Sequence, residues 1–158
     1  MSDNCPLCRD PYPTTEAVVL ERLQRRVSKG DPEAQLSLGD AYKAGSLGLN
    51  KSMERAVQYF ELSAVQGHKG GQHNLAVCFY QGAGGVKIDK KQALKYYTLA
   101  SEQGLAEAQC NCGGMYYNGE GTERDVKKAL ILFELAAAQG HQAAQDNLAV
   151  PRDAYARR

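Results

Sequence analysis

The sequence predicts an all-α fold: a right-handed α-α superhelix (solenoid) of antiparallel helix pairs, about three full repeats with capping helices. Three observations carry this. Columns of residues recur at one fixed step, each step holds two stretches of helical periodicity, and the same cap residues and glycines punctuate every stretch. Gly30, Gly67, Gly104 and Gly140 lie 37, 37 and 36 residues apart. Leu38, Leu75, Cys112 and Leu148 keep that step, as do Tyr42, Phe79 and Tyr116, then Gly45, Gly82 and Gly119, then Ala56, Ala93 and Ala129.

The elements follow in chain order. Residues 1–13, which hold Cys5-Pro-Leu-Cys8-Arg9, are expected to be a RING-finger-like remnant or a disordered tail. Over 14–29, Leu20, Leu23 and Val27 make an apolar stripe with Arg22, Arg25 and Arg26 largely outside it. That pattern predicts a capping helix started by Thr14 or Thr15 and ending near Ser28. Repeats then occupy 30–66, 67–103 and 104–139, with a partial unit at 140–150 and a tail at 151–158. Asp31-Pro32 opens the first unit with a cap and a proline at the first helical position. The first helix of each unit carries its apolar face as Ala34, Leu38, Ala41 and Tyr42, then Gly71, Leu75, Cys78 and Phe79, then Ala108, Cys112, Met115 and Tyr116. Ser52, Asp89 and Asp125 are placed to cap the second helices, and the Gln-Gly pairs at 66–67, 103–104 and 139–140 to stop them. Loops lie at 45–51, 82–88 and 119–124; the last is one residue shorter, which accounts for the single 36-residue step.

Composition narrows the function. Of 158 residues, 19 are basic and 18 acidic, giving a net charge of +1. Without concentrated positive charge, nucleic acid and anionic membranes are poor partners. No apolar run reaches the ~20 residues of a membrane span. The N-terminal MSDNCPLCRDPYP has no apolar segment of signal-peptide type, and the five cysteines are an odd number, so reduced thiols in the cytoplasm, or the nucleus, are expected.

The stretch LGDAYKAGSLG at 38–48, GlnGlyAlaGlyGlyVal at 81–86, AsnGlyGluGly at 118–121 and the alanine-bearing Gln-Gly helix ends resemble the Sel1-like repeat family, a relative of the tetratricopeptide repeats. The likeness runs from about Gly30 to Val150. Two positions depart from it: Ala76 stands where Gly39 and Gly113 are glycine, and Cys112 stands in a leucine column. The resemblance implies a non-enzymatic scaffold or adaptor that holds a protein or peptide on its concave face, as a monomer. By similarity to the tetratricopeptide repeats, the first helix of each pair lines that face. The groove positions are then Asp40, Lys43, His73, Asn74, Val77, Tyr80, Gln81, Cys110, Asn111, Gly114, Tyr117 and Asn118, with Asn147 in the column of Asn74 and Asn111. Carboxamides donate and accept, so a ladder of asparagines suits an extended peptide backbone, or else bonds between repeats. Tyr80 and Tyr117 form a second ladder with broad faces and a hydroxyl.

Cys5-Pro-Leu-Cys8-Arg9 resembles the last ligand pair of a RING-type zinc finger. Cys5 and Cys8 supply two of the four ligands tetrahedral zinc needs, so zinc binds only if the missing ligands are supplied from elsewhere. A true remnant implies that the repeats are the partner-binding part of a ubiquitin-ligase-like protein; an incidental CxxC implies nothing. No phosphate-loop, nucleophile-elbow or HExxH motif is present. Some Sel1-like proteins are linked to β-lactam binding, which leaves a β-lactam-binding or hydrolase type as an alternative. The chain lacks the paired cysteines and the SxxK nucleophile of that type. Cys78 and Cys112 fall in core columns and read as small apolar residues.

Overall fold

A computed structural model describes residues 15–149. These form helices α1 (Glu16–Val27), α2 (Pro32–Ala44), α3 (Met53–Val65), α4 (Lys69–Gln81), α5 (Lys90–Glu102), α6 (Ala106–Asn118), α7 (Val126–Ala138) and α8 (Gln142–Ala149). No strand occurs among the described residues. Each helix packs on the next, and α2 also touches α4, so the pairs stack as a superhelical solenoid. Cys5, Cys8 and both tails lie outside the described residues.

The caps act as their residue types require. Asp31 accepts from the N–H groups of Glu33 and Ala34; Ser52, Asp89 and Asp125 accept from those of Arg55, Gln92 and Lys128. The same three cap residues donate their own backbone N–H to the carbonyls of Tyr42, Phe79 and Tyr116, each at 2.9 Å. One residue therefore starts the second helix and pins the loop to the first. Gly45, Gly82 and Gly119 end the first helices in the left-handed region, at φ of 72°, 72° and 71°. The expected threonine cap differs: Thr15 stands at the cap position of α1, but its carbonyl, not its hydroxyl, receives the N–H groups of Val18 and Val19. α1 also stands one 37-residue step before α3, so Leu23 takes the column of Phe60 and buries at 9% exposure. The N-terminal cap is thus a second-type helix.

Small residues set the spacing within a pair. A Cβ on Gly39 would lie 2.6 Å from the Phe60 ring, and one on Gly113 2.8 Å from the Phe133 ring. The aromatic therefore seats directly on backbone. Leu38, Leu75, Cys112 and Met115 fill the space between pairs at 1–2% exposure.

A polar contact closes each pair, and it is invisible in the apolar pattern. Gln66, Gln103 and Gln139, the helix-stopping glutamines, donate Nε2 to Oε1 of Gln35, Gln72 and Gln109 at 2.7, 2.7 and 2.8 Å. The acceptors are 4–5% exposed. Each clamp ties the end of a second helix to the start of the first helix of its own pair.

Two outcomes are expected. Gln103→Ala strands the buried Gln72 amide and lowers stability by about 1–3 kcal/mol, read as an earlier urea midpoint. Gly113→Ala drives a methyl into the Phe133 ring and costs about 1–3 kcal/mol by thermal melting, with helical content before the transition retained.

Candidate partner-binding groove

The first helices α2, α4, α6 and α8 share one face. An open pocket of about 260 Å³ lies there, lined by Tyr80, Tyr97, Cys110, Asn111, Gly114, Met115, Asn118, Glu120 and Asn147. Drug-sized ligands occupy pockets of ~300–1,000 Å³ and are largely enclosed in them, so this one suits a side chain or a short stretch of backbone. Of the groove positions, Tyr80, Cys110, Asn111, Gly114, Asn118 and Asn147 line this pocket. Asp40, Lys43, His73, Asn74 and Val77 lie upstream on α2 and α4, Gln81 is exposed at the end of α4, and Tyr117 is turned to Arg124.

The asparagine column bonds between repeats. Asn74 Nδ2 donates to Asp40 Oδ1 at 3.1 Å, Asn111 Nδ2 lies 3.2 Å from His73 Nε2, and Asn147 Nδ2 donates to Cys110 Sγ at 3.9 Å. Each contact joins neighbouring first helices. A carboxamide has further donor and acceptor positions, so the bridge leaves part of each amide for other groups.

Tyr97, from the second helix α5, was hidden in its column. Its counterparts Phe60 and Phe133 lie against glycines, whereas Tyr97 shares its buried cluster with Ala76, which stands in the glycine column. Its ring lies 5.6 Å from the His73 ring and forms part of the pocket wall. Burial raises its phenol above the ordinary range. Glu120 was also missed, because it belongs to a loop with no helical register. Its Oε2 accepts the Tyr80 hydroxyl at 2.8 Å, and that bond raises the Tyr80 pKa. Lys90 completes the corner, its Nζ 2.9 Å from the Tyr80 ring centroid and 4.0 Å from Glu120 Oε1. At Tyr117 the Arg124 guanidinium stands 5.3 Å over the ring, and Arg124 Nε donates to the Tyr117 carbonyl at 2.9 Å.

Burial sets the remaining electrostatics. Cys78, Cys110 and Cys112 are all raised by desolvation and stay thiols, which makes them poor nucleophiles and weak ligands. Asp40 is raised, chiefly by desolvation. His73 is lowered, chiefly by burial, against the opposing pull of Glu107 3.9 Å away. His73 and Cys110 share a column, yet the near neighbour of the His73 imidazole is Asn111. Among the described residues no three His, Cys, Asp or Glu side chains group as a metal site would require. The groove offers hydrogen bonds, aromatic faces and a few charges.

Stacked antiparallel helix pairs with an open, polar and aromatic face define a helical-repeat protein. The Sel1 repeat matches residues 32–68, 70–105 and 106–141, well over half of the chain, and the chain belongs to that family. Sel1 repeats commonly serve as scaffolds for protein interactions and are generally non-catalytic. Among solved structures, the protective antigen c5321 of uropathogenic Escherichia coli, described as displaying an SLR fold, superimposes with a TM-score of 0.82 at 29% identity over 88% of this chain. A Sel1 repeat protein from Oxalobacter formigenes gives 0.75 at 31% identity over 81%. Helicobacter pylori cysteine rich protein B gives 0.62 at 21% identity over 81% of this chain and 96% of its own, a likeness of fold alone. The chain spans 29% and 52% of the first two structures. No curated protein sequence matches it. No helix among the described residues is long and apolar enough to cross a membrane.

The lowered His73 has a measurable consequence. Its folded pKa lies below the unfolded value near 6.5, so the unfolded chain binds the proton more readily. Stability is therefore complete above pH 6.5 and declines as pH falls through that value toward the folded pKa. Thermal melts from pH 8 to 5 are expected to show this decline, and a His73→Gln variant to lose that part of it.

Proposed function

We propose that this chain is a non-enzymatic adaptor whose groove, formed by α2, α4, α6 and α8, docks an extended peptide segment of another protein. The observation that supports this most is the convergence at one open pocket of the Asn111, Asn118 and Asn147 carboxamides with the Tyr80 and Tyr97 rings. Amides at repeat spacing satisfy the polar groups of an extended backbone, while rings accept its side chains. The pocket's modest volume and open mouth favour a peptide over a compact small molecule. The three raised thiols give no support to a nucleophilic reaction at this face. In this reading Asp40, Lys43, His73, Asn74, Val77 and Gln81 continue the same surface upstream, and Cys110, Tyr117 and Asn118 bound its downstream end. Zinc ligation by Cys5 and Cys8 is tested separately, by bound zinc measured on the purified chain with and without Cys5→Ser.

The test uses affinity capture with the full chain as bait. Asn118→Ala combined with Asn111→Ala is expected to lower recovery of captured partners about tenfold or more, as removal of central interface contacts does. Circular dichroism and the melting temperature check that the variant is folded, because Asn111 also bonds His73 and Tyr97. Unchanged recovery from a folded double variant would remove the groove from consideration.

A further inference from the structure

The downstream corner of the groove holds an arrangement that neither the fold nor the repeat pattern demands. Tyr80 comes from the end of α4, Lys90 from the start of α5, and Glu120 from the loop after α6. The Lys90 ammonium sits 2.9 Å from the Tyr80 ring centroid and 4.0 Å from Glu120 Oε1, while the Tyr80 hydroxyl bonds Glu120 Oε2 at 2.8 Å. An aromatic face and a carboxylate meeting at one point form a receptor for a cation. The loop is held there by a close backbone approach. A Cβ on Gly121 would fall 2.6 Å from the Lys90 carbonyl carbon, and the Glu120 N–H donates to the Met115 carbonyl at 2.9 Å.

The repeat register separates this corner from structural necessity. One 37-residue step earlier, the counterparts of Tyr80, Lys90 and Glu120 are Lys43, Met53 and Ala83. The first two units stack through the same core columns with a lysine, Lys43, in place of the ring, and with neither the Lys90 ammonium nor the Glu120 carboxylate at that corner. Tyr80 and Glu120 also line the pocket, whereas Lys90 reaches them from outside it. The Lys90 side chain is 33% exposed on a flexible stem, so it can swing into solvent.

We propose that Tyr80 and Glu120 form a lysine-binding subsite of the groove, for which the docked peptide's lysine competes with the chain's own Lys90. The inference rests on the groove reading above and names the chemistry the partner brings to it. In the free protein Lys90 covers the subsite. A docking peptide exchanges its ammonium for that of Lys90, so only segments with a lysine at the right spacing gain the contact. Lys90 thereby raises the threshold for binding and sharpens selection.

Three acetylated and amidated Gly/Ser heptapeptides, with lysine, norleucine or glutamate at the centre, serve as probes in amide chemical-shift titrations of the full chain. The lysine peptide is expected to bind about three- to tenfold more tightly than the norleucine peptide, the range a partly exposed cation–π contact supplies, with the glutamate peptide weakest. Lys90→Met should strengthen lysine-peptide binding several-fold, and Glu120→Gln should erase the preference for lysine. Should Glu120→Gln lose its fold by circular dichroism, Tyr80→Leu gives the same readout. Equal affinity for the lysine and norleucine peptides, or no gain in Lys90→Met, overturns the subsite while leaving the groove in place. No shift at Asn111, Gly114 or Asn118 with any peptide overturns both.

Discussion

The whole molecule depends on how closely the two helices of each pair approach. Where Gly39 faces Phe60 and Gly113 faces Phe133, ring packs on backbone with no Cβ between them. That contact fixes the height at which the next pair can dock, and so the step along the solenoid. Everything else follows the step. The cap residues fall where the second helix must begin, the glutamine clamps where it must end, and the inner helices line up because their pairs are equally spaced. A helix pair alone leaves one apolar face in water, so neighbours stabilise it and the stack continues.

The groove is what remains when that packing is complete. The α2, α4 and α6 helices bury Leu38, Leu75 and Cys112, and α4 and α6 turn the adjacent Asn74 and Asn111 away from the core, where α2 carries Ser37. Those asparagines stay polar because the inner surface is wet, and they bridge neighbours because the step brings each within reach of the previous first helix. At the middle pair the rule is relaxed. Ala76 replaces the glycine, and the ring that shares its cluster is a tyrosine that reaches the pocket wall. A departure that looks harmless in sequence therefore coincides with the place where the groove gains an aromatic side.

This explains what the sequence disclosed. Core columns, caps and stops repeat at 37 residues because each is imposed locally on every unit, and periodicity reports such constraints directly. Ser52, Asp89 and Asp125 were legible for that reason. Groove residues drawn from the same first helices were legible in part: Asn111, Asn118 and Asn147 line the same pocket. The Gln35, Gln72 and Gln109 column keeps the same step, but a search confined to apolar faces passes over it. Thr15 misled because residue type at a cap position shows capacity, and the hydroxyl here does not make the bond. Lys90 and Glu120 escaped entirely. They meet through the superhelical approach of one unit's loop to the previous unit's helix start, a relation that no residue spacing encodes.

The same distinction bears on how such scaffolds acquire specificity. Substituting a column residue disturbs packing in a unit and in its neighbours, so those positions have little freedom to follow a partner. Positions that meet only across a junction carry no such burden. Lys43, Met53 and Ala83 at one junction and Tyr80, Lys90 and Glu120 at the next support equivalent stacking with unlike chemistry. The junction corners are therefore where a solenoid can change what it binds without changing how it folds. The Tyr80–Lys90–Glu120 corner has charge, an aromatic face and a fixed loop beside an open pocket, the elements from which selectivity for a cationic side chain is made.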